Sequence, residues 1–170
     1  MVNENIVLFG FMGCGKTTVG HELSYRTGRE MVDTDRLIEE KEGMSVSDIF
    51  RLRGEACFRD REHEVCRELA ARTRLIVSAG GGALTFARNV AALRGNSRLV
   101  LLDVTPEVIY ERLAEDNTRP LLQCEDKMEA IRTLYAKRDA LYREAADIVV
   151  NGCQPKGFVA LDVMKAVGIL

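Results

Sequence analysis

No stretch of the 170-residue sequence approaches the roughly 18 consecutive apolar residues of a membrane-spanning helix, which excludes an integral membrane protein of the helical kind. A surplus of either charge is also lacking: 24 Lys and Arg stand against 26 Asp and Glu, a formal net charge of −2. Such a chain offers no general field to nucleic acid or to an anionic membrane, so an anionic ligand must be held by local charges. Cysteine is sparse and scattered. Cys14, Cys57, Cys66, Cys124 and Cys153 are odd in number and include no Cys-x-x-Cys pair. His21 and His63 have no Cys or second His at ligand spacing, so zinc and dithiol redox chemistry are set aside and the thiols read as reduced apolar fillers. No basic-then-apolar secretory pattern precedes Ile6, and the expected location is the cytoplasm. Repeats, low-complexity tracts and linkers are missing too. With 46% apolar and 29% charged residues, positions 1–170 are expected to form one domain that buries its own core without a disulfide or metal staple.

Short apolar runs recur at Ile6 to Phe9, Leu75 to Val77, Leu99 to Leu102 and Ile148 to Val150, with a weaker one at Met31 and Val32. They do not alternate, helical segments separate them, and hairpin signals are missing. The expectation is an α/β fold with a parallel sheet covered by helices on both faces. Helices fit Lys16 to Arg26, Val46 to Arg53, Glu55 to Thr73, Thr85 to about Arg94, a segment from Pro106 to about Glu115, Lys127 to Ala145 and Gly157 to Val167. Ser45 with Asp48, and Thr105 with Pro106, mark two of their starts. The least regular segment is 116–126, which Pro120 interrupts.

Gly10-Phe11-Met12-Gly13-Cys14-Gly15-Lys16-Thr17 matches G-x-x-x-x-G-K-[ST] in full, after a strand and before a helix. In such a loop backbone N–H groups turn inward around phosphate oxygens, Lys16 reaches the terminal phosphates and Thr17 can ligate Mg²⁺. ATP or GTP is the expected ligand; no Asn-Lys-x-Asp guanine-reading sequence is present, which favours ATP. The second strand ends in Asp33-Thr34-Asp35. These two carboxylates can converge, one on Mg²⁺ through water and one on an acceptor hydroxyl, although Asp35 could instead cap a helix starting at Arg36. Glu62 lies in the apolar stripe Phe58, Val65, Cys66, Leu69 and wants a partner; Arg59 is the candidate, and an ordinary surface ion pair is the alternative. Arg138 replaces a rung in the stripe Ile131, Leu134, Tyr135, Leu141, Tyr142, so it either faces an anion inward or snorkels to solvent. Gly80, Gly81 and Gly82 follow the third strand and leave room for a ligand against bare backbone. Arg119, before Pro120, sits where a lid could close over a transferred phosphoryl group, or is a solvated loop charge.

Together these motifs resemble the shikimate kinase family over nearly the whole chain. Its pattern is matched by Gly10 to Thr17, Asp33 and Asp35, Gly54-Glu55-Ala56-Cys57-Phe58-Arg59, Gly80 to Gly82, Arg119-Pro120-Leu121-Leu122, and Arg138 through Leu141-Tyr142. The resemblance implies a three-layer P-loop fold with a five-stranded parallel sheet of order 2-3-1-4-5. It implies transfer of the γ-phosphoryl group of ATP, with Mg²⁺, to the 3-hydroxyl of shikimate, and small-molecule partners only, with the protein a monomer. It carries nucleotide binding to Gly13, Cys14, Gly15, Lys16, Thr17, Thr18, Arg112, Arg119 and Pro155. Acceptor binding goes to Asp35, Arg59, Gly80, Gly81, Gly82 and Arg138, with Glu62 in support, within a segment of about 34–74. Lys16, Asp35 and Arg119 are the expected catalytic residues, Thr17 and Asp33 (through water) the metal side, and 116–126 the lid. Two alternatives are a gluconate or nucleoside-monophosphate kinase of the same fold, and a nucleotide-binding module without turnover.

Overall fold

The computed structural model describes residues 3–114 and 126–170. Arg119, Pro120, Cys124 and all of the expected lid except Asp126 lie outside the described residues. Five strands form one sheet of order β2-β3-β1-β4-β5: β1 (Asn5–Phe9), β2 (Met31–Asp33), β3 (Ile76–Ser78), β4 (Ser97–Asp103) and β5 (Ile148–Asn151). Among the described residues all four strand pairings are parallel, with Val7 opposite both Val77 and Leu99. The expected order is therefore observed.

The central strand shows why the runs lack alternation. All five residues of β1 are buried, because helices cover both sides of the sheet and neither face meets water. Each such apolar side chain contributes about 1.5–3 kcal/mol by leaving water. Seven helices surround the sheet among the described residues: α1 (Lys16–Thr27), α2 (Thr34–Glu42), α3 (Val46–Ala70), α4 (Ala87–Arg94), α5 (Pro106–Arg112), α6 (Lys127–Ala145) and α7 (Lys156–Ala166). α1 packs beside α7, α3 beside α2 and α4, and α5 beside α6. Asn5, fully buried at the start of β1, ties three elements together. Its amide donates to Leu69 and Arg72 carbonyls at 3.1 and 2.8 Å, and its side-chain oxygen accepts from Leu75 N at 2.9 Å.

Several boundaries differ from expectation; α5, for one, ends at Arg112 rather than near Glu115. The two helices expected around Gly54 run as one element kinked there, where the glycine takes φ 84° and ψ 166°. That element ends at Ala70, three residues short of Thr73. α2 was not anticipated from Thr34: it begins one residue after Asp33, whose carboxylate accepts from the N–H groups of Asp35 and Arg36 at 3.1 and 3.3 Å. The cap is thus Asp33, and the capping role considered for Asp35 falls. Between Gly82 and α4, Ala83–Thr85 forms a 3₁₀ turn, and Leu141 is exposed, so it does not belong to the buried stripe of α6.

Candidate active site

The site forms where β1, β2 and β3 end, the usual ligand side of a parallel sheet. The loop from β1 to α1 curls over it. Gly13 and Gly15 take φ of 77° and 95°, left-handed values that other residues adopt at a cost, and the Cys14 N–H between them donates to the Phe11 carbonyl at 3.1 Å. Lys16 Nζ donates to the Gly10 and Phe11 carbonyls, each at 3.0 Å, and lies 3.5 Å from Cys14 Sγ. The loop's own oxygens therefore hold the ammonium in place. Thr17 Oγ1 donates to Asp33 Oδ2 at 3.2 Å and sits 3.4 Å from Ser78 Oγ. These three oxygen donors come from α1, β2 and β3. Ser78 was not anticipated, since nothing in its local sequence marks it.

A cavity of about 250 Å³ opens beside this cluster. It is lined by Lys16, Thr17, Asp33, Asp35, Gly80 and Gly81, among others. Thr34, fully buried, accepts from Gly80 N through Oγ1 at 2.9 Å and so docks the Asp33 to Asp35 segment onto the glycine run. A Cβ built on Gly80 would lie 2.5 Å from Asp35 Oδ1, and one on Gly82 would lie 2.9 Å from both terminal nitrogens of Arg59. Side chains at these two positions would displace the carboxylate and the guanidinium. Gly81 carries no such constraint.

Arg59 projects from α3 just past the Gly54 kink. Its Nη1 donates to both oxygens of Glu62 at 3.2 and 2.9 Å, and its Nε and Nη2 reach Glu55 Oε1 at 3.3 Å. The guanidinium carbon lies 6.0, 5.2 and 4.9 Å from the ring centres of Phe50, Phe58 and Phe86. Three aromatic rings from separate segments thus hold the cation, a feature the sequence pattern did not reveal. Glu62 is fully buried and Glu55 is 64% exposed. The inner pair is fixed, whereas the outer edge faces a weak surface partner that a ligand carboxylate can displace. Both arrangements considered for Arg59 are present at once.

Burial raises the Glu62 carboxyl above its ordinary value, with Asp35 adding to the rise and Arg59 opposing it. A group raised in this way lends stability fully below its unfolded value, near 4.5, and that stability is lost as pH climbs through the raised value. Urea midpoints measured across this window should fall more for the native chain than for Glu62→Gln. Parallel curves would contradict the assignment.

Arg138 approaches the glycine run from α6. Its Nη1 donates to the Gly81 carbonyl at 3.4 Å and its guanidinium carbon stands 6.0 Å from the Phe11 ring. Tyr142, buried with its phenol pushed up to about 12 by burial, donates to the same carbonyl. On the outer side of the P-loop, Arg112 donates to the Gly13, Cys14 and Gly152 carbonyls at 3.4, 3.3 and 2.9 Å. Arg112 lines a cleft of about 470 Å³ with Gly15, Thr18 and Pro155. A larger hollow of about 580 Å³ reaches Thr17 and Asp33 from the flank of β2, but includes neither Arg59 nor Arg138.

The shikimate kinase family model matches residues 12–167. The chain belongs to the shikimate kinase family. A shikimate kinase from Aromatoleum aromaticum is 44% identical over 164 residues, covering 95% of this chain and 93% of the relative. One from Nitrosococcus oceani is 40% identical over 166 residues, covering 97% and 87%. Among solved structures, shikimate kinase from Acinetobacter baumannii in complex with shikimate superposes with a TM-score of 0.90 at 39% identity, covering 96% of this chain and 92% of that one. As in any ATP-dependent kinase of this family, the P-loop is the phosphate-binding element. Among the described residues, no helix is long and apolar enough to cross a membrane.

Proposed function

We propose that this shikimate kinase binds its acceptor between Arg59 and Arg138 and its nucleotide along the P-loop toward Arg112. The observation that carries the reading is that Asp35, Arg138 and Arg59 stand in turn against Gly80, Gly81 and Gly82, the first two of which line one cavity with Asp35 and Lys16. A small ring bearing one carboxylate and three hydroxyls suits this set. The arginines face its carboxylate, while Asp35, Gly80, Gly81 and Gly82 face its hydroxyls. ATP phosphates meet the loop and helix start at Gly13, Cys14, Gly15, Lys16, Thr17 and Thr18, at the positive end of α1. Arg112 and Pro155 flank the adenine side, and Glu62 keeps Arg59 in place.

The 3-hydroxyl oxygen attacks the γ-phosphorus, the bond to the β–γ bridging oxygen breaks, and ADP leaves. Asp35 accepts the hydroxyl proton, and Lys16 and Arg119 stabilise charge on the transferring group. Thr17 and Asp33, the latter through water, suit Mg²⁺, because the donors gathered by α1, β2 and β3 are all oxygens. Among the described residues no group of three or more His, Cys, Asp or Glu surrounds a metal position; an ion held mainly by phosphate and water needs none. When bound, the ion neutralises phosphate charge and orients the γ-phosphoryl group. Segment 116–126 acts as the lid carrying Arg119, and about 34–74 as the acceptor-binding part of a single 1–170 domain. The enzyme works as a cytoplasmic monomer on small molecules, without nucleic acid or membrane partners.

Asp35→Asn tests the division between the carboxylates. Shikimate-dependent ADP release should drop by about 10²–10⁴-fold through loss of the proton acceptor, while ATP affinity by titration calorimetry stays within about twofold. Loss of ATP affinity with surviving turnover would reverse the roles of Asp33 and Asp35.

A further inference from the structure

Arg138 leaves the middle of α6, and the position of that helix decides where its guanidinium meets the Gly81 carbonyl at the cavity's wall. One carboxylate grips α6 on both sides of it. Asp103, the last residue of β4, accepts from the Tyr135 hydroxyl through Oδ1 at 3.1 Å and from Arg143 Nη2 through Oδ2 at 3.0 Å. Tyr135 precedes Arg138 by one helical turn and Arg143 follows it by more than one, so the two contacts bracket the functional side chain. Asp139 braces Arg143 from the side, accepting from Nε at 3.0 Å.

The strand end is itself fixed. The Asp103 carbonyl accepts from Gly152 N at 2.8 Å, and Asp103 pairs with Asn151 of β5. Burial, with Asp103 beside it, pushes the Tyr135 phenol upward, so its hydroxyl keeps the proton it donates. The Tyr135 ring lies 5.7 Å from Phe11, the P-loop residue over whose ring Arg138 stands. Anchor and arginine thus share one neighbour. Asp103 does not line the cavity between Lys16 and Gly81.

We propose that Asp103 is a positioning residue for the acceptor site, setting the placement of Arg138 through Tyr135 and Arg143. The proposal rests on the assignment of Arg138 to the substrate carboxylate. An arginine released from its register keeps its charge and loses alignment, so acceptor binding suffers and nucleotide binding does not.

A double-mutant cycle separates positioning from a general structural role. Asp103→Ala should raise the shikimate KM about tenfold and leave the ATP KM within about twofold. Added to Arg138→Ala, it should raise the shikimate KM by less than about twofold further, because the side chain it places is gone. Asp103→Asn keeps an acceptor for Tyr135 but lacks the charge facing Arg143, and Tyr135→Phe does the reverse; each should fall between native and Asp103→Ala. If circular dichroism shows that Asp103→Ala does not fold, these two milder variants carry the same cycle. An equal rise in both backgrounds, or no rise in any folded variant while Arg138→Ala does raise the KM, would overturn the proposal alone. An unchanged shikimate KM in Arg138→Ala would overturn the carboxylate assignment, and this proposal with it.

Discussion

Lys16→Met is expected to fold normally and to lose about 10²–10³-fold in turnover, the range seen when one preorganised charge donor is removed from a transition state. The fold should survive because Lys16 holds only its own loop: its ammonium donates to the Gly10 and Phe11 carbonyls and lies against Cys14 Sγ. Turnover should not survive. Phosphoryl transfer spreads charge over the γ-phosphoryl oxygens and leaving group, and methionine matches the length of the lysine without its charge. Circular dichroism paired with single-turnover ADP formation checks both halves. A folded variant with near-native turnover would remove Lys16 from the chemistry.

The second large effect is expected at the arginine pair. Each guanidinium facing the acceptor carboxylate in a partly dry site supplies charge-assisted hydrogen bonds of about 1.5–3 kcal/mol, or roughly one to two decades of affinity. Arg138→Lys should therefore raise the shikimate KM substantially, because an ammonium keeps the charge and loses the planar fork. ATP binding should be nearly unchanged. A shikimate analogue with an uncharged amide in place of the carboxylate sharpens the comparison. The native enzyme should bind the amide far more weakly than the acid, whereas Arg59→Ala and Arg138→Ala should discriminate much less. A native enzyme that accepts acid and amide alike would show that these arginines serve the fold or the nucleotide.

The sites that could be read from sequence are those whose chemistry is local. The P-loop is eight consecutive residues between a strand and a helix, so spacing alone specifies its geometry. Glu62 and Arg138 stood out because a charge on an apolar stripe needs a partner, and both point inward. Asp33 was harder to place. β2 is only three residues long, and the carboxylate closing it serves Thr17 with one oxygen and the start of α2 with the other. Leu141 misled because helical spacing identifies a face without showing where the neighbouring element stops.

What could not be read came from long-range assembly. Phe50, Phe58 and Phe86 surround Arg59 from both sides of a kink and from beyond the third strand. Thr34 and Ser78 become site residues only when β2 and β3 pair, with Asp33 opposite Ser78. The sheet order likewise came from the family resemblance, because five apolar runs of similar composition carry no record of which lies beside which. Asp103 and Tyr135 left a faint signal, an acid at the carboxyl end of a strand and a phenol on an apolar stripe. Their meeting depends on how α6 lies over β4.

The most direct measurement of the central claim is acceptor-dependent ADP release with ATP and Mg²⁺, run in parallel on shikimate, gluconate and a nucleoside monophosphate, with the product located by ³¹P and ¹H NMR. Release should depend on shikimate, be at background with the other two, and yield a phosphate ester on the 3-hydroxyl. Release at the same rate without shikimate, or faster with gluconate or the nucleotide, would contradict the assignment of this site.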